Sequence, residues 1–220
     1  MTAFDLNDVA AAFRTARAEG RSIDAPTKTW PTLDSDTAFK VQQINFEHAI
    51  HNGDRLQSSS KPFVELEPAF VLRSSLKGPN VIVADVISAI DYAIPAIEII
   101  DSRVKDWAID LPDTLADNGS TGAVIIGGTP RKLTDLALSN MRGFLKFNSE
   151  EVMSGNTKNI LGNPLSAVAW LVIRLAEYDI KFKAGQFIMP GSCLEAVPMD
   201  KAGKWTCTYE GWGTIEFDVV

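Results

Sequence analysis

After residue 60 the sequence breaks into short β-branched and aromatic runs separated by Gly and Pro. They are Phe63 to Leu72, Ala96 to Asp101, Val124 to Ile126, Phe144 to Phe147, Phe187 to Met189, Trp205 to Tyr209 and Thr214 to Val220. Runs of this length with this punctuation form strands joined by turns, so most of the chain is committed to a β-rich body. Two helices interrupt it. One is expected from Val83-Ala84-Asp85 through Tyr92. The other opens at Pro164, where a fixed φ suits the first helical turn, and runs through Ala169, Trp170, Ile173 and Leu175.

The first sixty residues follow a different period. Leu6, Val9, Ala10, Phe13 and Ala16 recur at helical spacing behind Asp5, a capping residue, and Gly20 closes the segment. A proline-marked connection, Ala25-Pro26 to Trp30-Pro31, leads to Ser35-Asp36-Thr37. A second helix then carries Ala38, Val41, Phe46 and Ile50 to Asn52-Gly53. The expected class is α+β: an N-terminal helical region over residues 1–60 packed on a curled β-sheet body over residues 61–220, the latter one compact unit. Trp30, Trp107, Trp170, Trp205 and Trp212 are read as core or interface.

Charge and composition narrow the function classes. With 21 basic against 28 acidic side chains the net charge is −7, the opposite of what a nucleic-acid platform carries. No apolar run reaches the ~18 residues a membrane helix needs, and the N-terminus has no signal-peptide core, so the expectation is a cytoplasmic protein with no nucleic-acid or membrane partner. Only two cysteines, Cys193 and Cys207, and two histidines, His48 and His51, are present. Any metal site must therefore lean on carboxylates.

Carboxylates stand where they are hard to keep. In Val64-Glu65-Leu66-Glu67-Pro68 the glutamates are two residues apart and leave one face of a strand together. Pro95-Ala96-Ile97-Glu98-Ile99-Ile100-Asp101 places a third acid inside an apolar run, where an ionised group without a partner costs several kcal/mol. If Glu98 faces the pair, Glu65, Glu67 and Glu98 line one side of an octahedral Mg²⁺ or Mn²⁺ and leave positions for water and a chelating substrate. A solvated sheet face, with Arg73, Arg103 or Lys77 neutralising the acids, would account for the same residues without an ion.

At these residues the sequence resembles the 2-keto-4-pentenoate hydratase and 4-oxalocrotonate decarboxylase group of the fumarylacetoacetate hydrolase superfamily. The resemblance runs through Glu65-Leu66-Glu67-Pro68-Ala69-Phe70-Val71-Leu72, Lys77-Gly78-Pro79-Asn80 with Asp85-Val86, and Tyr92 through Arg103. It continues through Asp113-Thr114-Leu115-Ala116-Asp117-Asn118-Gly119-Ser120, Gly127-Gly128, Gly162-Asn163-Pro164, Lys183-Ala184-Gly185-Gln186 and Gly191-Ser192. It implies a divalent-metal-dependent lyase, hydratase-like or decarboxylase-like, acting on an unsaturated 2-oxo acid through a metal-stabilised enolate. Glu65, Glu67 and Glu98 fall on the family's three metal-ligand positions. Asp117, Asn118, Ser120 and Ser192 fall on substrate-binding ones, and relatives form homo-oligomers.

The sequence departs from the family before Glu65. Relatives carry a Gly-aromatic-Lys-Val-Gly-Leu-Thr-Ser segment with an acid/base lysine, and then a long stretch covering the site. The counterpart here is Gly53-Asp54-Arg55-Leu56-Gln57-Ser58-Ser59-Ser60, which puts Arg55 at the lysine position. A guanidinium stays protonated at any working pH, so Arg55 can bind an anion or stabilise charge but cannot relay protons. Replacement acid/base candidates are His48, with Glu47 and His51 beside it on the second helix, and Lys61, just before Pro62. After Ser192, Cys193-Leu194-Glu195 replaces a pattern that usually includes threonine. A metal-dependent tautomerase or isomerase, or a non-catalytic homologue serving as partner subunit of an active relative, are the competing readings.

Overall fold

A computed structural model describes residues 4–52 and 61–220, less the side chains of residues 47 and 49–52. The elements are α1 (Leu6–Glu19), α2 (Pro26–Thr29), α3 (Ser35–Asn52), β1 (Phe63–Leu72), α4 (Val83–Ala89), β2 (Ile90–Ile100), α5 (Leu111–Ala116) and β3 (Thr121–Ile126). They continue with β4 (Arg142–Phe147), β5 (Glu150–Asn156), α6 (Pro164–Leu175), β6 (Phe187–Ile188), β7 (Val197–Pro198), β8 (Gly203–Tyr209) and β9 (Gly213–Val219). This is the α+β class expected from the punctuation.

The chain divides into two units. The first comprises Met1–Phe63, Ile99–Val124 and Pro198–Asp200, so the N-terminal helices are joined by a segment from the middle of the chain. Asp5 accepts the amide of Asn7 at 2.9 Å to start α1, and Gly20 ends it at φ 59, a left-handed conformation that glycine adopts without a Cβ clash. α1 and α5 both pack on α3. Val9, Ala10, Phe13, Leu33, Ala38, Val41, Val104 and Ala116 form the buried cluster, and each large apolar side chain fully buried there contributes roughly 1.5–3 kcal/mol. Asp113, 1% exposed, ties two parts of this unit: its carboxylate accepts from the Thr27 amide (2.8 Å), the Thr27 hydroxyl (2.9 Å) and the Asp110 amide (3.1 Å).

The second unit comprises Val64–Glu98, Ile125–Val197 and Lys201–Val220. One sheet has the order β3-β2-β1-β6, with β7 also pairing β1; the other is β5-β4-β8-β9. In the latter all three pairings are antiparallel, and alternation sends Leu145, Trp205, Cys207, Tyr209 and Ile215 into the core. α6 begins with Asn163 accepting the Leu165 amide at 2.9 Å and Pro164 at its first position, and it packs on α4. The helical stretch Thr157–Tyr178 is apolar enough for a membrane span by composition. Its α-helical part is 12 residues, about 18 Å, short of the ~30 Å hydrocarbon core.

The helix expected through Tyr92 stops at Ala89, and β2 starts at Ile90, six residues earlier than the expected strand. The carbonyl of Ala89 is taken by the amides of Arg73 and Ser74, which ends the helix, and Ile90, Tyr92 and Ile94 then alternate as a strand does. β5 was not expected. It is a polar edge strand whose register is set by pairing to β4 through a tight turn at Asn148 (φ 46) and Ser149 (φ 75).

Candidate metal centre

Glu65 and Glu67 leave β1 on one face because they are two residues apart, while Val64 and Leu66 turn into the core on the other. β2 lies beside β1 and carries Glu98. One carboxylate oxygen from each of Glu65, Glu67 and Glu98 lies within 4.8 Å of the others. The convergence expected from spacing is present.

The electrostatics of this cluster call for a cation. Burial first, and Glu98's charge second, push the Glu65 carboxyl up to about 7. Glu67 is 2% exposed, and burial followed by repulsion from Glu98 raises it well above the usual carboxylate range. The contact opposing this rise is the Gly191 amide, which donates to Oε2 of Glu67 at 2.8 Å. A backbone N–H leaves no mark in the sequence, so this partner could not be read there. The three basic side chains named as the alternative to an ion have other partners. Arg73 donates to the Ser88 carbonyl, Lys77 pairs with Asp179, and Arg103 pairs with Asp117. Three convergent, partly desolvated oxygen donors suit a hard divalent ion such as Mg²⁺ or Mn²⁺.

Ser192 follows Gly191 directly; its hydroxyl donates to the carbonyls of Leu194 (2.8 Å) and Leu66 (3.4 Å). A cavity of about 440 Å³ borders the same turn, lined by Met153, Ser154, Asn159, Ser192, Cys193, Leu194 and Glu195.

Asp117, Asn118 and Ser120 lie together in the first unit. Asn118, Gly119 and Ser120 all take left-handed backbone conformations (φ 57, 67 and 60), which costs on the order of 1 kcal/mol for each non-glycine residue. The turn is held by buried polar contacts. Asp117 accepts from Nε of Arg103 at 2.6 Å and from its amide at 2.9 Å, and burial pushes its carboxyl up to about 6 although Arg103 pulls it down. Ser120, 1% exposed, has its hydroxyl 3.2 Å from that of Thr114, and Asn118 accepts from Gln42 at 3.0 Å.

Arg55 lies outside the described residues, as do the side chains of Glu47 and His51. His48 is exposed on α3. Lys61 is 72% exposed at its side chain, with Nζ 3.8 Å from the Asp106 carboxylate. The cysteines are buried, and desolvation raises Cys193 to about 11 and Cys207 to about 12, so neither is a thiolate nucleophile.

No family model matches the chain. It is 32% identical over 250 residues to a 2-keto-4-pentenoate hydratase of Burkholderia vietnamiensis, covering 96% of this chain and 95% of the relative. It is 39% identical over 154 residues to a 4-oxalocrotonate decarboxylase of Pseudomonas putida, covering 70% and 58% respectively. A solved 4-oxalocrotonate decarboxylase from Pseudomonas putida G7, complexed with magnesium and adipate, superposes with TM-score 0.90 at 27% identity over 96% of this chain and 95% of that one. The hydratase alignment takes in about 211 of the 220 residues here, 96% of the chain, so about 40 of its 250 positions have no counterpart. The chain belongs to the family of 2-keto-4-pentenoate hydratases and 4-oxalocrotonate decarboxylases.

Proposed function

We propose that this protein is a divalent-metal-dependent lyase acting on small unsaturated 2-oxo acids, with Glu65, Glu67 and Glu98 holding Mg²⁺ or Mn²⁺. The observation that carries the proposal is the convergence of three carboxylate oxygens within 4.8 Å from two neighbouring strands. A bound divalent ion would supply a Lewis acid toward the carboxylate and 2-oxo oxygens of a substrate. The three glutamates would hold that ion through one carboxylate oxygen each, and the Gly191 amide fixes the orientation of Glu67. The family resemblance supports assigning substrate contacts to Asp117, Asn118, Ser120 and Ser192. Arg55 stabilises substrate anionic charge, and the mobile proton falls to His48 or Lys61, because a guanidinium does not release one. This altered division of labour is what replacement of the relatives' lysine requires. The homo-oligomer implied by the resemblance completes the proposal, and sedimentation of the purified protein tests it.

Calorimetric titration of the purified protein with Mg²⁺ and Mn²⁺, beside a Glu98→Ala variant, tests the centre. Binding by the wild type and its loss in the variant are expected; equal binding by both rejects the assignment. Ultraviolet absorbance of a panel of unsaturated 2-oxo acids, with metal present, then tests the activity. The roughly 40 alignment positions without a counterpart favour a second reading, a non-catalytic partner subunit of an active relative. It predicts metal binding without turnover of any substrate in the panel.

A further inference from the structure

Leu66, between the two β1 glutamates, has its carbonyl oxygen held from three directions. The Cys193 amide donates to it at 3.1 Å, the Tyr209 hydroxyl at 3.2 Å and the Ser192 hydroxyl at 3.4 Å. Cys193 is itself fixed at both ends. Its carbonyl accepts from the Asn156 amide and from Nδ2 of Asn159, each at 3.0 Å, and its thiol meets the Tyr209 hydroxyl. Cys193 and Tyr209 are 0% and 1% exposed.

The seat of Cys193 is a notch in the second sheet. Gly143 of β4 and Gly155 of β5 are directly opposed across the strand pair. A Cβ added at Gly143 would stand 2.7 Å from Sγ of Cys193, and one at Gly155 would stand 2.1 Å from the Cys193 carbonyl oxygen. Two opposed glycines in a strand pair mark a close approach of other backbone. Here that backbone is the 191–194 turn. β4, β5 and β8 thus grip the turn, and the turn grips β1 between Glu65 and Glu67.

We propose that Tyr209 and Cys193 are positioning residues for the cation centre: the Cys193 thiol, seated over the Gly143–Gly155 notch, orients the Tyr209 phenol, and the phenol together with the Cys193 amide fixes the Leu66 carbonyl and so sets the separation of the Glu65 and Glu67 carboxylates. The proposal rests on the reading of those glutamates as ligands. Tyr209→Phe removes one hydrogen of the clamp and keeps the ring in its packing. Cys193→Ala removes the thiol, and Cys193→Ser restores a donor in its place. Groups that orient metal ligands typically contribute 10–100-fold in metal affinity. The control is Cys207→Ala: Cys207 is equally buried, on β8, on the same face as Tyr209 and two residues from it.

Mn²⁺ binding is measured by calorimetry and by electron paramagnetic resonance on all four variants and the wild type, with Tm recorded for each. The expected result is Mn²⁺ affinity about tenfold weaker in Tyr209→Phe and Cys193→Ala. Cys193→Ser should recover most of the loss, and Cys207→Ala should lower Tm while leaving Mn²⁺ affinity at the wild-type value. If Tyr209→Phe and Cys193→Ala bind Mn²⁺ like the wild type, or if affinity simply tracks Tm across all four variants, the positioning role is overturned. A wild-type protein that binds no Mn²⁺ overturns the ligand assignment first and this proposal with it.

Discussion

Glu65 of β1 and Glu98 of β2 face one another across neighbouring strands, and the charge of Glu98 adds to burial in holding the Glu65 carboxyl up at about 7. Two groups in this cluster, Glu65 and Glu67, are raised above the ordinary carboxylate value, so the metal-free folded state binds more protons than the unfolded chain over the window between them. The sign follows directly. Stability is fully present below the unfolded value near 4.5 and is lost as pH rises through about 7. Asp117, raised to about 6, acts in the same direction. Metal-free protein in chelator should therefore melt at a higher temperature at pH 5 than at pH 8, as read by circular dichroism. A Tm that rises over that interval contradicts it.

Loading the centre should reverse that slope. A divalent ion needs ionised carboxylates, so binding at pH 6 must drive protons off Glu65 and Glu67, whereas binding well above pH 7 drives off fewer. Calorimetric titrations with Mn²⁺ in two buffers of different ionisation enthalpy report the number of protons released. Release is expected to be larger at pH 6 than at pH 8, and apparent affinity should climb between them. Absence of proton release at pH 6 would show that the acids are already ionised without metal.

Glu67→Gln separates the cost of the cluster from its use. The amide keeps the shape and can still accept from Gly191, but it removes one of three mutually repelling acids. The variant should lose Mn²⁺ affinity by more than tenfold. In chelator at pH 8 its Tm should be a few degrees above the wild type, since relief of about 1 kcal/mol moves Tm by roughly 2–4 °C in a protein of this size. A variant that binds Mn²⁺ normally, or that melts below wild type without metal, argues against the ion as the reason three acids are kept here.

The parts of this molecule legible in the sequence are those written locally. Asp5 and Gly20 bracket α1 and Asn163-Pro164 opens α6, because caps act over three or four residues. Glu65 and Glu67 share a face because strand periodicity is two, and Glu98 betrays itself as an acid in an apolar run. What could not be read depends on through-space partners. β5 has no apolar alternation and is a strand because β4 pairs with it. α2 and α5 are four and six residues long, too short to show a helical period. The meeting of Gly143, Cys193 and Tyr209 joins residues dozens of positions apart, and the Gly191 amide on Glu67 is backbone. The glycines Gly143 and Gly155 inside strands were the available signal for that close approach.

The pair Arg103–Asp117 offers a test of what holds the left-handed turn at Asn118–Ser120. Arg103 is 5% exposed and donates five bonds in its unit: its amide and Nε to the Asp117 carboxylate, and its terminal nitrogens to the carbonyls of Asp101 (2.8 Å), Thr121 (2.9 Å) and Asp117 (2.6 Å). Arg103→Ala deletes the guanidinium and strands both a buried carboxylate and three carbonyls, a loss of about 3–5 kcal/mol. Asp117→Asn keeps a side-chain acceptor for Nε and leaves the carbonyl bonds intact, so its cost should be nearer 1–3 kcal/mol. Urea unfolding of the two variants at pH 7.5 checks the order. Because Asp117 is the acid raised to about 6, the Asn variant should also lose part of the fall in stability between pH 5 and pH 8 that the wild type shows. Equal destabilisation by both substitutions would mean that the charge pair, rather than the carbonyl bonds of Arg103, holds the turn.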